Sequence, residues 1–135
     1  MFTYRTNVRL PQTDAAGVMF FGEYFTVAHD AYQAFMSHIG LPLVSFLNEH
    51  DFLPLIVHAE SDYKRALFTD DEVIVEVSVT RLGKGSFDLT CSIGGTGQAA
   101  AAIVKTVHAT VDKASHKPIA LPEILKSKLQ EANQA

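Results

Sequence analysis

Between Gly22 and Ile39 the chain carries apolar side chains over too wide an arc for a helix that lies on a surface. At about 100° per residue, Tyr24, Phe25, Val27, Ala28, Ala31, Tyr32, Ala34, Phe35, Met36 and Ile39 cover roughly 200° of the helix. Only Glu23, Thr26, Asp30, Gln33 and Ser37 are left for solvent or an interface. Gly40, at the position that tolerates a left-handed backbone, and Pro42 just beyond it stop the helix. A helix this apolar must be wrapped by other structure.

The remaining segments supply the wrapping. Thr3 to Leu10 alternates, with Thr3, Arg5, Asn7 and Arg9 on one face and Tyr4, Thr6, Val8 and Leu10 on the other, as an edge-type strand ended by Pro11. Leu43 to Glu49 reads as a short second helix. Leu53 to Ala66, Glu72 to Leu82, Ser86 to Gly94 and Gln98 to Asp112 read as strands, broken at Asp70-Asp71, Gly83-Lys84-Gly85 and Gly94-Gly95-Thr96-Gly97. Pro122 to Glu131 reads as a terminal amphipathic helix with Pro at its start. One strand, a long helix and then successive antiparallel strands imply an α+β fold whose sheet curls around the helix.

At 135 residues and 47% apolar content, the expectation is one domain over residues 1–135 with one core. No apolar run approaches the roughly 18 residues of a membrane span, and Met1-Phe2-Thr3-Tyr4-Arg5 lacks a signal-peptide pattern, so a cytoplasmic protein without a membrane partner is expected. The net charge of −4 offers no basic field to nucleic acid. The single cysteine, Cys91, excludes an intramolecular disulfide and reads as a strand core residue. The six histidines contain no i,i+4 pair, and no metal is expected. A nucleophile elbow and a P-loop are both absent, which argues against a serine hydrolase of that type and an NTPase.

Chemistry concentrates in Thr13-Asp14-Ala15-Ala16-Gly17-Val18-Met19-Phe20-Phe21-Gly22, a loop just before the helix with no charge between Ala15 and Gly22. Apolar surroundings would desolvate the Asp14 carboxylate and make it a stronger base or nucleophile. The helix start supplies unpaired N–H groups near Phe21 or Gly22 and a positive dipole end, where a carbonyl oxygen is polarised. The plainer reading is a turn-capping Asp, with Gly17 serving the tight loop. Phe20, Phe21 and Phe25 suit either an aromatic pocket or the core.

The run Thr-Asp-x-x-Gly-Val-x-Phe-Phe-x-x-Tyr at Thr13 to Tyr24 resembles the signature of the 4-hydroxybenzoyl-CoA thioesterase family, whose members are single hotdog domains. Pro54 to Ala59, Asp70 to Val73 and Leu82 to Phe87 extend the likeness over most of the chain. The resemblance implies thioester hydrolysis with Asp14 as nucleophile or general base, and a homodimer or homotetramer with its site at a subunit interface. Many relatives carry His where Phe21 stands, which points away from short-chain acyl groups. The implied substrate is an aromatic acyl-CoA, first among them 1,4-dihydroxy-2-naphthoyl-CoA of menaquinone or phylloquinone synthesis. Coenzyme A then belongs to the substrate and no separate cofactor is implied. Its phosphates need cations, for which Lys64, Arg65, Arg81 and Lys84 are candidates, with Ser86 beside them. His58 is either a reader of a ring hydroxyl or a hydrogen-bonded sheet histidine. A broad acyl-CoA or acyl-carrier-protein thioesterase, a non-catalytic acyl-thioester-binding module of the same fold and a dehydratase are the alternatives, the last disfavoured by the missing His.

Overall fold

The computed structural model describes residues 1–134. In chain order it comprises β1 (Phe2–Asn7), a 3-10 turn (Leu10–Gln12), α1 (Glu23–His38), α2 (Ser45–Asn48), β2 (Phe52–Tyr63), β3 (Glu72–Leu82), β4 (Ser86–Gly94), β5 (Ala102–Asp112) and α3 (Glu123–Gln134). The strands form one antiparallel sheet in the order β1-β3-β4-β5-β2. Among the described residues no helix is long and apolar enough to cross a membrane.

α1 ends where its sequence says it should. Gly40 has φ +87°, the Leu41 N–H donates to the Met36 carbonyl at 2.9 Å and the Gly40 N–H to Ser37 at 3.1 Å. This is a Schellman ending, which satisfies two carbonyls that the last turn leaves open. Tyr24, Val27, Ala28, Ala31, Tyr32, Phe35 and Met36 are buried along the helix, while Thr26, Asp30, Gln33 and Ser37 stay exposed.

The wrapping face of the sheet follows strict alternation. Val73, Val75, Val77 and Val79 of β3 and Phe87, Leu89, Cys91 and Ile93 of β4 point inward and are buried. Register shifts between Ile56 and His58 and between Val79 and Arg81 mark bulges, which bend β2 and β3 around the helix. α3 closes one end of the core with Leu125 and Leu129, a one-turn spacing.

The larger boundary differences from the sequence reading fall at β1, β2, β5 and α3, the last running to Gln134 rather than Glu131. β1 stops at Asn7, because Leu10 to Gln12 close a 3-10 turn around Pro11. β2 stops at Tyr63. β5 begins at Ala102 rather than Gln98, since Gly97 at φ +69° turns the chain and the Ala101 carbonyl accepts the N–H groups of Lys64 and Arg65 at 2.7 and 3.2 Å.

Candidate active site

The Asp14 loop is built from short-range hydrogen bonds. The Asp14 N–H donates to the Val18 carbonyl and the Gly17 N–H to the Asp14 carbonyl, both at 3.0 Å, and Gly17 takes φ +80°. Asp14 Oδ1 accepts the Ala16 N–H at 2.8 Å, while Oδ2 has no partner among the described residues. The next two N–H groups anchor the chain: Met19 donates to Leu67 at 2.7 Å and Phe20 to Gln12 at 2.9 Å. Those of Phe21 and Gly22 have no acceptor among the described residues, whereas those of Glu23, Tyr24 and Phe25 do. Two open donors therefore stand at the positive end of α1, seven and eight residues after a carboxylate with a free oxygen. One expectation is corrected: Asp14 is exposed, because Ala15, Ala16 and Gly17 are too small to cover it, so this chain alone does not desolvate it.

Aromatic rings gather around the helix start. Phe20 and Phe21 lie 4.6 Å apart between centroids, Tyr63 meets Phe21 edge-on at 6.4 Å and Tyr24 at 5.1 Å, and the Tyr63 hydroxyl donates to the Phe21 carbonyl at 2.8 Å. Phe20 and Phe21 remain 46% and 61% exposed, far more than a core role allows.

Phe25, in the first turn of α1, opens a cavity of about 350 Å³ between the helix and the inner face of β2, β4 and β5. Tyr32, Ile56, Leu89 and Cys91 make much of its wall apolar, and Thr106 and His108 of β5 add polar groups. Burial pushes the Cys91 thiol up to about 12, so it acts as an inert apolar side chain. His108 is fully buried, and desolvation first and His29 second lower its pKa to about 4 against the pull of Asp88. It is a neutral imidazole at neutral pH.

The remaining candidates fall elsewhere. Ala59 and Thr106 pair across the strands and both line the cavity, so alternation turns the neighbouring His58 to the outer face. There Nε2 of His58 lies 3.1 Å from Glu60, and the acyl-pocket reading of His58 does not hold within one chain. Arg65 spends its guanidinium on the Ala99 carbonyl, with Nε at 3.2 Å and Nη2 at 3.0 Å. Arg81 binds Asp88 Oδ1 through Nε at 3.0 Å and Nη2 at 2.8 Å, and Ser86 Oγ at 2.7 Å. Burial raises the pKa of Asp88, but the hydrogen bond and charge of Arg81, helped by Lys105 at 3.5 Å, outweigh it and leave the carboxyl below its ordinary value. Arg81 thus holds a buried carboxylate and Ser86 braces Arg81, so neither stands open to a phosphate. Lys84 is exposed in the turn after β3, while the Asp14 loop packs on Leu67 and Phe68 before β3. The length of β3, roughly 30 Å, separates them. Lys64 directly follows Tyr63, whose hydroxyl reaches the Phe21 carbonyl, and its ammonium forms no ion pair among the described residues.

Sequence reasoning read Tyr24 as core only and passed over Tyr63, Thr106 and His108. The i,i+2 spacing of Thr106 and His108 in a strand, which sets both on one face, was the available signal. Among the described residues no cluster of three or more His, Cys, Asp or Glu side chains is placed to hold a metal ion.

A curved five-stranded sheet wrapped on one long helix, with an acidic loop at the helix start, defines a hotdog-fold protein. The thioesterase-like superfamily model matches residues 8–129, and the chain belongs to that superfamily. It is 32% identical to a 1,4-dihydroxy-2-naphthoyl-CoA hydrolase of Synechococcus elongatus, over 96% of this chain and 95% of the relative. The corresponding enzyme of Rippkaea orientalis is also 32% identical, over 93% and 92% of the two chains. The crystal structure of a 1,4-dihydroxy-2-naphthoyl-CoA thioesterase from Synechocystis superimposes with a TM-score of 0.89 at 26% identity, covering 96% of each chain.

Proposed function

We propose that this protein hydrolyses an aromatic acyl-CoA thioester, with 1,4-dihydroxy-2-naphthoyl-CoA as its substrate. The observation that carries the reading is the pairing of a carboxylate oxygen free on Asp14 with two open N–H donors at the start of α1, beside a largely apolar cavity. The named activity of the relatives from Synechococcus and Rippkaea supports the choice of acyl group.

In this reading the thioester carbonyl oxygen lies against the N–H groups of Phe21 and Gly22, and the aryl group extends past Phe25 into the cavity. The Asp14 carboxylate either attacks the carbonyl carbon or takes a proton from the water that does. In both routes negative charge develops on the carbonyl oxygen, where the two donors and the helix dipole stabilise it. Collapse breaks the carbon–sulfur bond, and the thiolate of coenzyme A leaves and is protonated. Where water attacked, this frees the aryl acid at once; where Asp14 attacked, water then cleaves the acyl-aspartyl anhydride and frees the acid and the carboxylate. Neither route calls for a metal or a separate cofactor.

The assembly belongs to the same proposal. Among the described residues β2 pairs only with β5, so one edge of a twelve-residue strand is open there, and Leu55, Ile56 and Val57 along it are exposed. An apolar open edge of this length is a pairing surface, and a second copy joined there would cover the Asp14 loop and supply the desolvation that one chain does not. Lys84 would then act from the partner. Light scattering joined to a thiol-release assay on a panel of aryl and alkyl acyl-CoAs tests the whole reading. The expected result is a dimer or tetramer that hydrolyses naphthoyl and benzoyl thioesters faster than medium-chain alkyl ones; an active monomer overturns the shared site, and an alkyl preference overturns the substrate. Single turnover in ¹⁸O-water, followed by mass analysis of the Asp14 peptide, separates the two routes.

A further inference from the structure

The cavity beside α1 has a polar end whose hydrogen bonding is incomplete. His108 is fully buried, its ring nearly parallel to Phe87 at a centroid separation of 4.8 Å and tilted against Tyr32 at 4.6 Å. Its Nε2 lies 2.8 Å from Oγ1 of Thr106, and its Nδ1 is buried without a partner among the described residues. A neutral imidazole has one proton for two nitrogens. A proton on Nδ1 would strand a buried N–H, whereas a proton on Nε2 reaches Thr106 and leaves only a lone pair unmet. Orphaned N–H groups are the rarer and costlier defect, so the proton sits on Nε2. Thr106 therefore accepts from His108, and its own hydroxyl proton is left for another acceptor. Thr106 forms part of the cavity wall, and His29 of α1 flanks the same space.

We propose that the Thr106–His108 pair reads ring hydroxyl groups: Thr106 Oγ1 donates to the oxygen of a phenolic hydroxyl on an aryl group held in this cavity, and His108 fixes the direction of that donor. The inference rests on the reading that the acyl group of the thioester occupies the cavity. A volume of about 350 Å³ falls within the usual range for a small-molecule pocket. The apolar wall takes the ring faces, and a single oriented donor distinguishes a hydroxylated ring from a bare one. A site built around such a donor discriminates more sharply than an apolar wall does, because an unhydroxylated ring leaves the donor unpaired.

The test compares 1,4-dihydroxy-2-naphthoyl-CoA with 2-naphthoyl-CoA in the wild type, Thr106→Val and Thr106→Ser. The readout is the ratio of kcat/KM for the two substrates, in which general damage to the enzyme cancels. Thr106→Val should shrink the ratio by about tenfold, the effect of one hydrogen bond, and Thr106→Ser should keep it. A Thr106→Val ratio equal to that of the wild type overturns the inference while leaving the thioesterase reading intact. If the wild type hydrolyses neither substrate, the thioesterase reading fails, and calorimetry with 1,4-dihydroxy-2-naphthoate and 2-naphthoate still decides on the pair. Tighter binding of the dihydroxy acid to the wild type supports it, and equal affinity overturns it even if Thr106→Val does not fold.

Discussion

The Tyr63 hydroxyl at the end of β2 donates to the Phe21 carbonyl at the start of α1, at 2.8 Å. A trans peptide unit is planar, so that carbonyl and the N–H of Gly22 point in opposite directions across one rigid group. Pinning the carbonyl pins the N–H, and the hydrogen bond also polarises the unit and strengthens the donor. Tyr63→Phe keeps the ring against Phe21 and Tyr24 and removes only the pin. We expect kcat to fall by about tenfold with KM and melting temperature little changed. Steady-state kinetics with an unchanged kcat would show that the Gly22 N–H takes no part.

Asp14→Asn retains an oxygen for the Ala16 N–H and removes the negative charge. Since Asp14 is exposed in the chain, its substitution should leave thermal melting where it was. Thiol release in a single turnover should slow by on the order of 10²-fold or more, the range of general acid–base catalysis. A variant as fast as the wild type would return Asp14 to a turn-capping role and bring the binding-module reading forward.

Much of this architecture was legible because its signals are local. The apolar arc of α1, the valines at alternate positions of β3 and the glycines at 40 and 97 each specify backbone geometry within a few residues. The site was legible only in its loop. Arg81 and Lys84 look alike in sequence, but Arg81 turned out to be committed to a carboxylate seven residues away on the next strand, a fact set by the bulge at Thr80. His58 and His108 could not be ranked without knowing the face of the sheet, which the bulge at Val57 reverses for part of β2. Tyr63 and Phe21 are 42 residues apart, beyond the reach of any periodicity.

Arg81 near the end of β3 and Lys84 in the turn after it should therefore behave differently. Arg81→Ala leaves Asp88 buried with Lys105 alone at 3.5 Å, so the protein should melt at a lower temperature whatever happens to substrate binding. Lys84→Ala should leave melting unchanged and is the cleaner test of a phosphate contact: a raised KM, weaker at high salt in the wild type, supports it. An unaltered KM shifts attention to Lys64.

Acid should weaken the fold through His108. Its pKa is lowered from 6.5 to about 4, with burial the main cause. The unfolded chain thus binds a proton near pH 6.5 that the folded chain refuses until about pH 4. The stabilisation is present above pH 6.5 and is lost as pH falls to about 4, roughly 3 kcal/mol in all. Asp88 and Asp112, whose pKa values are lowered from 3.8, add their losses only below that window. Denaturant melts between pH 7 and pH 4.5 should show the decline in the wild type and a shallower one in His108→Phe, whose ring can still sit between Phe87 and Tyr32. Parallel declines would assign the effect to other groups.

Apart from the Asp14 carboxylate itself, the loop is held by groups of the main chain. The Asp14 carboxylate meets the backbone N–H of Ala16, the closing bonds run between main-chain atoms, and the side chains of Ala15 and Ala16 face solvent. Gly17 is different in kind: a Cβ there would meet nothing within 4 Å, yet φ +80° disfavours any residue that has one. Mutational drift is therefore free at the two alanines and barred at the glycine for reasons of torsion rather than room. A library randomised across Ala15, Ala16 and Gly17 should return broad variety at the first two positions and almost none at the third, and whatever touches Ala15 or Ala16 in the assembled protein can be retuned without disturbing the acid.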